Sequence, residues 1–412
     1  MKFEELNINR KLIDKTHEQG FEELTLIQEK CLPEIIKGRD VVGQAETGSG
    51  KTIAFCLPIL EKINRGEGLQ TVILTPTREL CIQVTDVFKD FGKILGIKTT
   101  SVYGGVGIEP QIKRIKTSEV VVGTPGRMLD HLRRRTLDLR NVRFLILDET
   151  DKMLDMGFID DVEKIIHFTP KNRQTLMFSA TIVGSIHRLM NKHLNNPLVI
   201  KTKSQVDASK LRQKYYDIYN QNEKFSLLVH LLKNDTSGLA IVFCATRRES
   251  DIVARNLRKH GIHASAIHGG MTQNQRTRSL DSLKNERTDV LVATDVAARG
   301  LDIKNVSHIY NYDVPKTPIE YIHRIGRTAR AGENGAAITL LTAADHDNFR
   351  RVQSNDELNI ERAEMPDFKK VSFSRKTDYT RKPSQHRGWN NSNRNNKNSN
   401  YRRGNKSSKK SY

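Results

Sequence analysis

Short apolar runs alternate with amphipathic stretches along most of the chain, and the alternation occurs twice. In the first half the runs are DVVGQA (40–45), TVILTPT (71–77), EVVVGTP (119–125), RFLILDE (143–149), TLMFSAT (175–181) and PLVIK (197–201). The second half carries GLAIVFCAT (238–246), ASAIHG (264–269), TDVLVATD (288–295), SHIYNYD (307–313) and AAITLLT (336–342). Phe144 to Leu147 are apolar at every position, the pattern of a strand covered on both faces of a parallel sheet. Helical periodicity lies between the runs, as in KFSLLVHLLKN (224–234) and RESDIVARNLRKH (248–260). Such alternation predicts two α/β domains with parallel sheets, residues 1–202 and 214–365. The polar stretch 203–213 reads as the linker between them. From residue 366 the periodicity stops, and 366–412 is expected to be a disordered basic tail with too little apolar content to fold alone.

Charge sharpens this division. The tail holds 14 Lys/Arg against 2 Asp/Glu, so +12 of the net +20 lies in the last 47 residues. A basic tail on a moderately basic body favours a polyanion, nucleic acid or an acidic membrane, although a solvating tail with no partner would look the same. Tyr379, Trp389 and Tyr401 are interleaved with the cations, which suits stacking on single-stranded nucleic acid. The N-terminus is polar, without a signal-peptide core, and no apolar run approaches bilayer length. The four cysteines, at 31, 56, 81 and 244, are too far apart for a zinc pair or a CxxC redox motif. They fit reduced thiols, and the expected location is cytoplasmic, with no membrane partner.

Two stretches carry recognisable chemistry. AETGSGKT (45–52) follows the first predicted strand and precedes a helical run, as a phosphate-binding loop does, with Ala45 in place of the first glycine. Gly48 and Gly50 allow backbone N–H groups to approach phosphate, with Thr47 and Ser49 beside them. Lys51 would reach the β- and γ-phosphates of ATP, and Thr52 would ligand Mg²⁺. The second stretch is LILDETD (145–151), which puts carboxylates where parallel sheets bind ligands, although an acidic solvated loop would look similar. A phosphate loop needs an acidic strand end to hold its metal. Asp148 then reads as the second Mg²⁺ ligand and Glu149 as the group that orients or deprotonates water.

These two stretches, with others in the same order, resemble the DEAD-box ATP-dependent RNA helicases of helicase superfamily 2 over roughly residues 1–345. The resemblance implies two tandem RecA-like domains, ATP and Mg²⁺ as cofactors, and RNA, single-stranded or in short duplexes, as partner. GFEELTLIQ (20–28) looks like the adenine-sensing motif, in which Gln28 pairs with the base and Phe3 stacks on it. PTREL (76–80), YGGV (103–106) and TPGR (124–127) match the first domain's RNA-binding motifs, which implies RNA contacts from Pro76, Thr77, Arg78, Gly105, Thr124, Pro125, Gly126 and Arg127. SAT (179–181) matches the coupling motif, so that Ser179 and Thr181, with Asp151 and His323, would carry the nucleotide's state toward the domain interface.

In the second half, HGGMTQNQR (268–276) implies that Gln273 and Arg276 contact the RNA backbone. ATDVAARGLDI (293–303) implies Thr294 on a phosphate, Asp302 near the ribose and Arg299 organising the site. HRIGRTAR (323–330) implies that Arg327 and Arg330 reach the γ-phosphate as arginine fingers. The second half has no phosphate loop of its own, so one nucleotide is expected between the domains. Leu24 replaces the usual proline of the adenine motif. Thr150 replaces alanine to give DETD, Gly270 stands where acidic residues are common, and Ala329 where glycine is. The leading expectation is an RNA-dependent ATPase that opens short duplexes or remodels ribosomal or mRNA-processing particles. A DNA translocase and an RNA clamp that works through its tail are the competing readings. Oligomeric state is open, with a monomer expected.

Overall fold

The apolar runs become two seven-stranded sheets, parallel at every pairing. In this computed structural model the described residues are 1–375 except 47, 183, 203–210, 286, 299, 300, 302, 304, 330–333 and 357, with the side chains of 221, 222 and 284 also excluded. The first sheet contains β1 (Val41–Gln44), β2 (Thr71–Leu74), β3 (Thr99–Val102), β4 (Val120–Gly123), β5 (Phe144–Leu147), β6 (Gln174–Ser179) and β7 (Leu198–Lys201). The second contains β8 (Leu211–Asp217), β9 (Leu239–Phe243), β10 (Ala264–Ile267), β11 (Val290–Ala293), β12 (Val306–Asn311), β13 (Gly335–Leu341) and β14 (Glu361–Arg362). Their orders, β3-β4-β2-β5-β6-β1-β7 and β10-β11-β9-β12-β13-β8-β14, are the same order displaced by seven strands.

Both faces of each sheet are covered, which explains the continuous apolar runs. Along β5, Phe144 and Ile146 enter one core cluster while Leu145 and Leu147 enter the cluster on the opposite face. Along β9, Ala240 and Val242 point to one side, Ile241 and Phe243 to the other. Side chains alternate across a strand, so a strand with helices above and below must be apolar at every position. No helix among the described residues is long and apolar enough to cross a membrane.

Three strands, β3, β8 and the short β14, and the tail boundary depart from the expectation. β3 was not anticipated because TTSV carries one aliphatic residue in four, yet Thr99, Thr100 and Val102 are buried beside β4. β8 begins at Leu211, inside the expected linker; LRQKYYD reads as polar because most of its side chains are half-buried or exposed. The rest of that linker, 203–210, lies outside the described residues. The tail boundary is also corrected, since Met1–Ser374 form one compact unit. Phe368, Val371 and Phe373 pack on the second domain's core, with Phe373 4.6 Å from Phe225 between ring centroids. The Val371 N–H donates to Ser226 Oγ at 3.0 Å. The Asn256 side chain accepts from the Ser374 N–H at 3.0 Å and donates to its carbonyl at 2.9 Å. Two phenylalanines among many polar residues leave little periodicity to detect, but they suffice to dock a strap onto an existing core. The remaining tail, 376–412, lies outside the described residues.

A chain ended after Ser374 should therefore unfold like the full chain, whereas one ended after Met365 should lose about 2 kcal/mol from the second domain. Calorimetric melting of the two truncations checks this, and equal melting would show that the strap contributes nothing.

Candidate nucleotide site and the adjoining nucleic-acid face

β1 delivers the chain into the loop 45–50, which ends at the helix Lys51–Lys62. Gly48 and Gly50 have φ of 87° and 89°, left-handed values that favour glycine, and a Cβ on Gly50 would overlap the Gln28 amide. Lys51 is buried and folded back over the loop, its Nζ donating to the carbonyls of Ala45 at 2.6 Å and Glu46 at 3.0 Å. Ser49 Oγ donates to the Glu46 carbonyl at 2.8 Å. Thr52, the second residue of the helix, is half-buried. Thr47 lies outside the described residues.

The adenine-motif segment braces this loop from the side. Thr25 and Gln28 form a reciprocal cap on the helix Leu26–Ile36. Thr25 Oγ1 donates to the Ser49 carbonyl at 2.8 Å, and Gln28 Nε2 donates to the Gly50 carbonyl at 3.0 Å. Gln28 Oε1 accepts from the Thr25 N–H at 2.9 Å, so each end of the amide makes one bond and retains the capacity for another. Phe3 is a correction: it is 0% exposed within the first domain's core and presents no ring face to a base. A short turn, Phe3–Glu5, and the Lys2–Glu23 bridge tuck it inward. Phe21, which the sequence reading passed over, is 41% exposed in the same motif.

At the end of β5 the backbone turns sharply into the helix Thr150–Asp155, with Glu149 at φ 50°, a conformation uncommon outside glycine. Asp148 and Glu149 are both buried. Burial and the neighbouring Glu149 charge push Asp148 up to about 7, against the pull of Lys51 and Lys152. For Glu149, burial also acts upward, but Lys152 and Lys51 outweigh it and hold the carboxyl below its usual range. Lys152 Nζ lies 2.5 Å from Glu149 Oε1, and burial pushes this lysine down to about 8. Glu149 Oε2 is buried without a hydrogen-bond partner among the described residues. Lys152 was missed from the sequence, although its position three residues after Glu149 at a helix start was a usable signal. The Thr150 hydroxyl turns into the sheet, 3.3 Å from both the Leu147 and Phe178 carbonyls.

Asp151 gathers the next layer. Its Oδ2 accepts from the Ala180 N–H at 3.1 Å, the Thr181 N–H at 3.0 Å and the Thr181 hydroxyl at 3.3 Å. Its own N–H donates to Ser179 Oγ at 3.2 Å, and Ser179 Oγ donates to the Thr181 carbonyl at 2.6 Å. From the second domain, His323 Nε2 stands 4.0 Å from the same Oδ2. Arg327 is buried, donates to the Leu301 carbonyl at 2.8 Å, and its charge acts on Glu149 and Lys152. Arg324, also unanticipated, fixes the helix Pro318–Ile325 that carries His323: it forks onto Asp295 at 2.6 and 2.7 Å and donates to Asn311 Oδ1 and the Asp313 carbonyl. Arg299, Asp302 and Arg330 lie outside the described residues.

Beside this site both domains present the same construction. Thr77 caps the helix Arg78–Leu95, placing Arg78 against Gly104 and Gly105, where a Cβ on Gly105 (φ 84°) would overlap the guanidinium. Thr246 caps the helix Arg247–Lys259, placing Arg247 against Gly269 and Gly270. The repeat was legible as TRE after one strand and GG after the next, echoed by TRR and GG, yet Arg247 was overlooked. Pro76 is buried behind Thr77. Thr124 and Pro125 open the helix Pro125–Arg133, Gly126 is open to solvent, and Arg127 donates through both terminal nitrogens to the Val106 carbonyl at 3.2 Å. In the second domain Thr294 lies at the end of β11, and Gln273 Oε1 is buried without a partner among the described residues. Arg276 differs from expectation. Its Nε binds Glu79 of the first domain at 2.8 Å, both side chains being under a tenth exposed, and its Nη1 reaches the His268 carbonyl at 3.4 Å.

A phosphate loop braced by a capping segment, a buried acidic strand end facing a second domain's arginine, and paired Arg-on-glycine ledges define a two-domain nucleotide-binding motor. The first domain matches the family model DEAD/DEAH box helicase over residues 25–189, and the second matches Helicase conserved C-terminal domain over 223–332. The ATP-dependent RNA helicase CshA of Listeria monocytogenes is 44% identical over 367 residues, spanning 89% of this chain and 71% of that protein. The DEAD-box ATP-dependent RNA helicase CshA of Bacillus subtilis is 42% identical, spanning 88% and 74%. Saccharomyces cerevisiae Dbp5 bound to RNA and ADP BeF3 superposes with a TM-score of 0.81 at 32% identity, over 88% of this chain and 95% of that one. A DEAD box protein from the hyperthermophile Methanococcus jannaschii is 41% identical with a TM-score of 0.54, over 88% and 99%. The chain belongs to the DEAD/DEAH box helicase family, with the tandem RecA-like architecture.

Because Glu79 and Arg276 are desolvated together, removing one strands the other. Glu79→Ala should weaken association of the two domains by about 3 kcal/mol, with Arg276→Ala adding little in the double variant. Interdomain energy transfer between labels on each domain reads the cycle, and additive losses would show that the pair is not coupled.

Proposed function

We propose that this chain is an ATP-dependent RNA helicase in which RNA-stimulated ATP hydrolysis drives local opening of short duplexes or remodelling of RNA–protein particles. The observation that carries the reading is the convergence on one point, from two domains, of Asp148, Glu149, Lys51 and Lys152 with Arg327. The relatives named as ATP-dependent RNA helicases, and the Dbp5 complex with RNA and ADP BeF3, support the same assignment.

Adenine is held by the unused amide hydrogen and lone pair of Gln28, which match its N7 and N6. The exposed Phe21 ring replaces Phe3 as the stacking surface. The loop from Ala45 to Gly50 cradles the phosphates, and Lys51 exchanges its two backbone carbonyls for phosphate oxygens. Asp148 and Thr52 are hard-oxygen donors, and no group of three or more His, Cys, Asp or Glu among the described residues forms a metal cage. That donor set fits Mg²⁺, an ion that keeps water and phosphate ligands and needs few from protein. When bound it supplies charge neutralisation at the phosphates. The buried Asp148 carboxyl, raised by burial and by the Glu149 charge beside it, is the protein's side of that fit. Glu149, kept ionised by Lys152, offers its unpartnered Oε2 to the attacking water as general base. Arg327, with Arg330, stabilises charge developing on the γ-phosphate.

Asp151 connects hydrolysis to RNA. One carboxylate oxygen holds 180 and 181 and faces His323, so a shift at Glu149 is felt two residues away at the domain seam. Arg78, Gly105, Thr124, Pro125, Gly126 and Arg127 in the first domain, and Arg247, Gln273 and Thr294 in the second, take the RNA backbone, supported by Pro76 and Thr77. Backbone contacts give little base specificity. Arg276 contributes by holding the domains together. ATP and RNA both prefer the domain-closed arrangement, and that difference in affinity converts hydrolysis into strand separation. Residues 366–412 act as a basic extension whose first segment is strapped to the second domain. The four described cysteines are all buried and free, consistent with action in the cytoplasm.

Glu149→Gln should lower kcat by a hundredfold or more, on the order expected for loss of a general base, while ATP-dependent RNA binding persists. Measured nucleotide affinity that falls with turnover would refute the assigned role. Titrating ATPase activity with single-stranded RNA and DNA separates this function from that of a DNA translocase; RNA should stimulate, and stimulation by DNA alone would overturn the assignment.

A further inference from the structure

The loop 103–107 after β3 supports Arg78 and Arg127, yet it has no regular structure of its own. What shapes it lies buried behind it. Gln111, in the helix Glu109–Ile115, is 3% exposed, and its Nε2 donates to the carbonyl of Tyr103 at 3.1 Å and that of Gly107 at 3.4 Å, the two ends of the loop. Its Oε1 faces Nε2 of His131 at 3.3 Å, and His131, in the helix that opens with Pro125, Gly126 and Arg127, is 0% exposed. Since the Gln111 nitrogen serves two carbonyls, its oxygen must be the acceptor. His131 therefore carries its proton on Nε2, and Nδ1 accepts from the Thr136 hydroxyl at 2.8 Å. Burial, and then the charge of Arg127, hold this imidazole below its usual range, in keeping with the neutral ring the chain of bonds requires.

Two of the proposed RNA-binding motifs are thus mounted on one buried polar unit: Gln111 pins the ends of the glycine loop, and His131 ties that amide to the TPGR helix. Arg127 closes the circuit by binding the loop's middle at the Val106 carbonyl. The second domain reaches a comparable end differently, through Arg276 to the carbonyl of His268, the residue just before its own glycine pair.

We propose that Gln111, backed by His131 and Thr136, is a positioning residue for RNA, setting the shape of the 103–107 loop and its spacing from Thr124–Arg127 without touching RNA or nucleotide. The inference rests on the reading of this face as the RNA site. A buried network of this kind is satisfied at every member, so removing one partner loosens the loop rather than the sheet. RNA would then bind a loop that must first be ordered, which weakens affinity but leaves the hydrolytic step intact once RNA is bound.

The test uses the full chain with Gln111→Met, which keeps side-chain length and removes both bonds, and Thr136→Val, which removes only the last hydroxyl. ATPase activity is titrated with a single-stranded RNA oligonucleotide. The half-saturating RNA concentration should rise about tenfold in Gln111→Met and about threefold in Thr136→Val, with kcat at saturating RNA within about twofold of the unmodified chain. An unchanged half-saturation in both variants, or a fall in kcat at unchanged half-saturation, overturns the proposal. If Gln111→Met does not fold, Thr136→Val decides by the same criterion. Arg78→Ala separates the two layers of inference. A weakened RNA response there, with none in the other variants, removes the positioning role and leaves the RNA face standing. No RNA stimulation in the unmodified chain overturns both.

Discussion

Two carboxylates cannot remain ionised side by side in the dry end of a parallel sheet unless positive charge is brought to them. Asp148 and Glu149 impose that demand, and much of the molecule answers it. Lys51 arrives from the phosphate loop, Lys152 from the first turn of the following helix, and Arg327 from the other domain. The answer is incomplete at Asp148, which burial and its neighbour push up to about 7. The domain seam is therefore part of the electrostatic solution. A site balanced by charges from two bodies responds whenever one of those bodies moves.

The duplicated sheet order supplies the second constraint. Each domain ends a strand in a capped helix whose first residue is arginine, and lays that arginine across a glycine pair that follows the next strand along the chain. Symmetry then breaks where function divides. Among the described residues the first domain carries the glycine loop that ends at Lys51, and the second brings the Arg327 charge to Glu149. The residue following the ledge arginine is Glu79 in one domain and Arg248 in the other, and Glu79 is used to grip Arg276 across the seam. Stability of the paired form thus leans on a desolvated ion pair, a contact that is strong when made and costly when half-made.

Thr150, the letter that turns the family's motif into DETD, has a plain structural account. Its hydroxyl sits between the Leu147 carbonyl that ends β5 and the Phe178 carbonyl of β6, stitching the two strands together. Phe3 and Gln28 show how the same motif can be read correctly in order and only partly in role. Gln28 braces the loop through the Gly50 carbonyl, and Phe3 serves the core because a short turn and a bridge pull the N-terminus inward.

Periodicity and motif order were enough for the two parallel sheets, the phosphate loop, the acidic strand end and the family. Those features are local: a strand buried on both faces must be apolar throughout, and a glycine loop before a helix is written in consecutive letters. The strands β3 and β8 escaped because their polarity reflects what packs against them, which no window of sequence contains. The pairing of Glu79 with Arg276, the strap at 366–374, and the Gln111–His131–Thr136 unit were likewise decided by the tertiary structure. Each joins residues that are unremarkable alone and separated along the chain, and each gains its strength from being desolvated together. Burial is a property of the folded whole, so interactions that depend on it become visible only there.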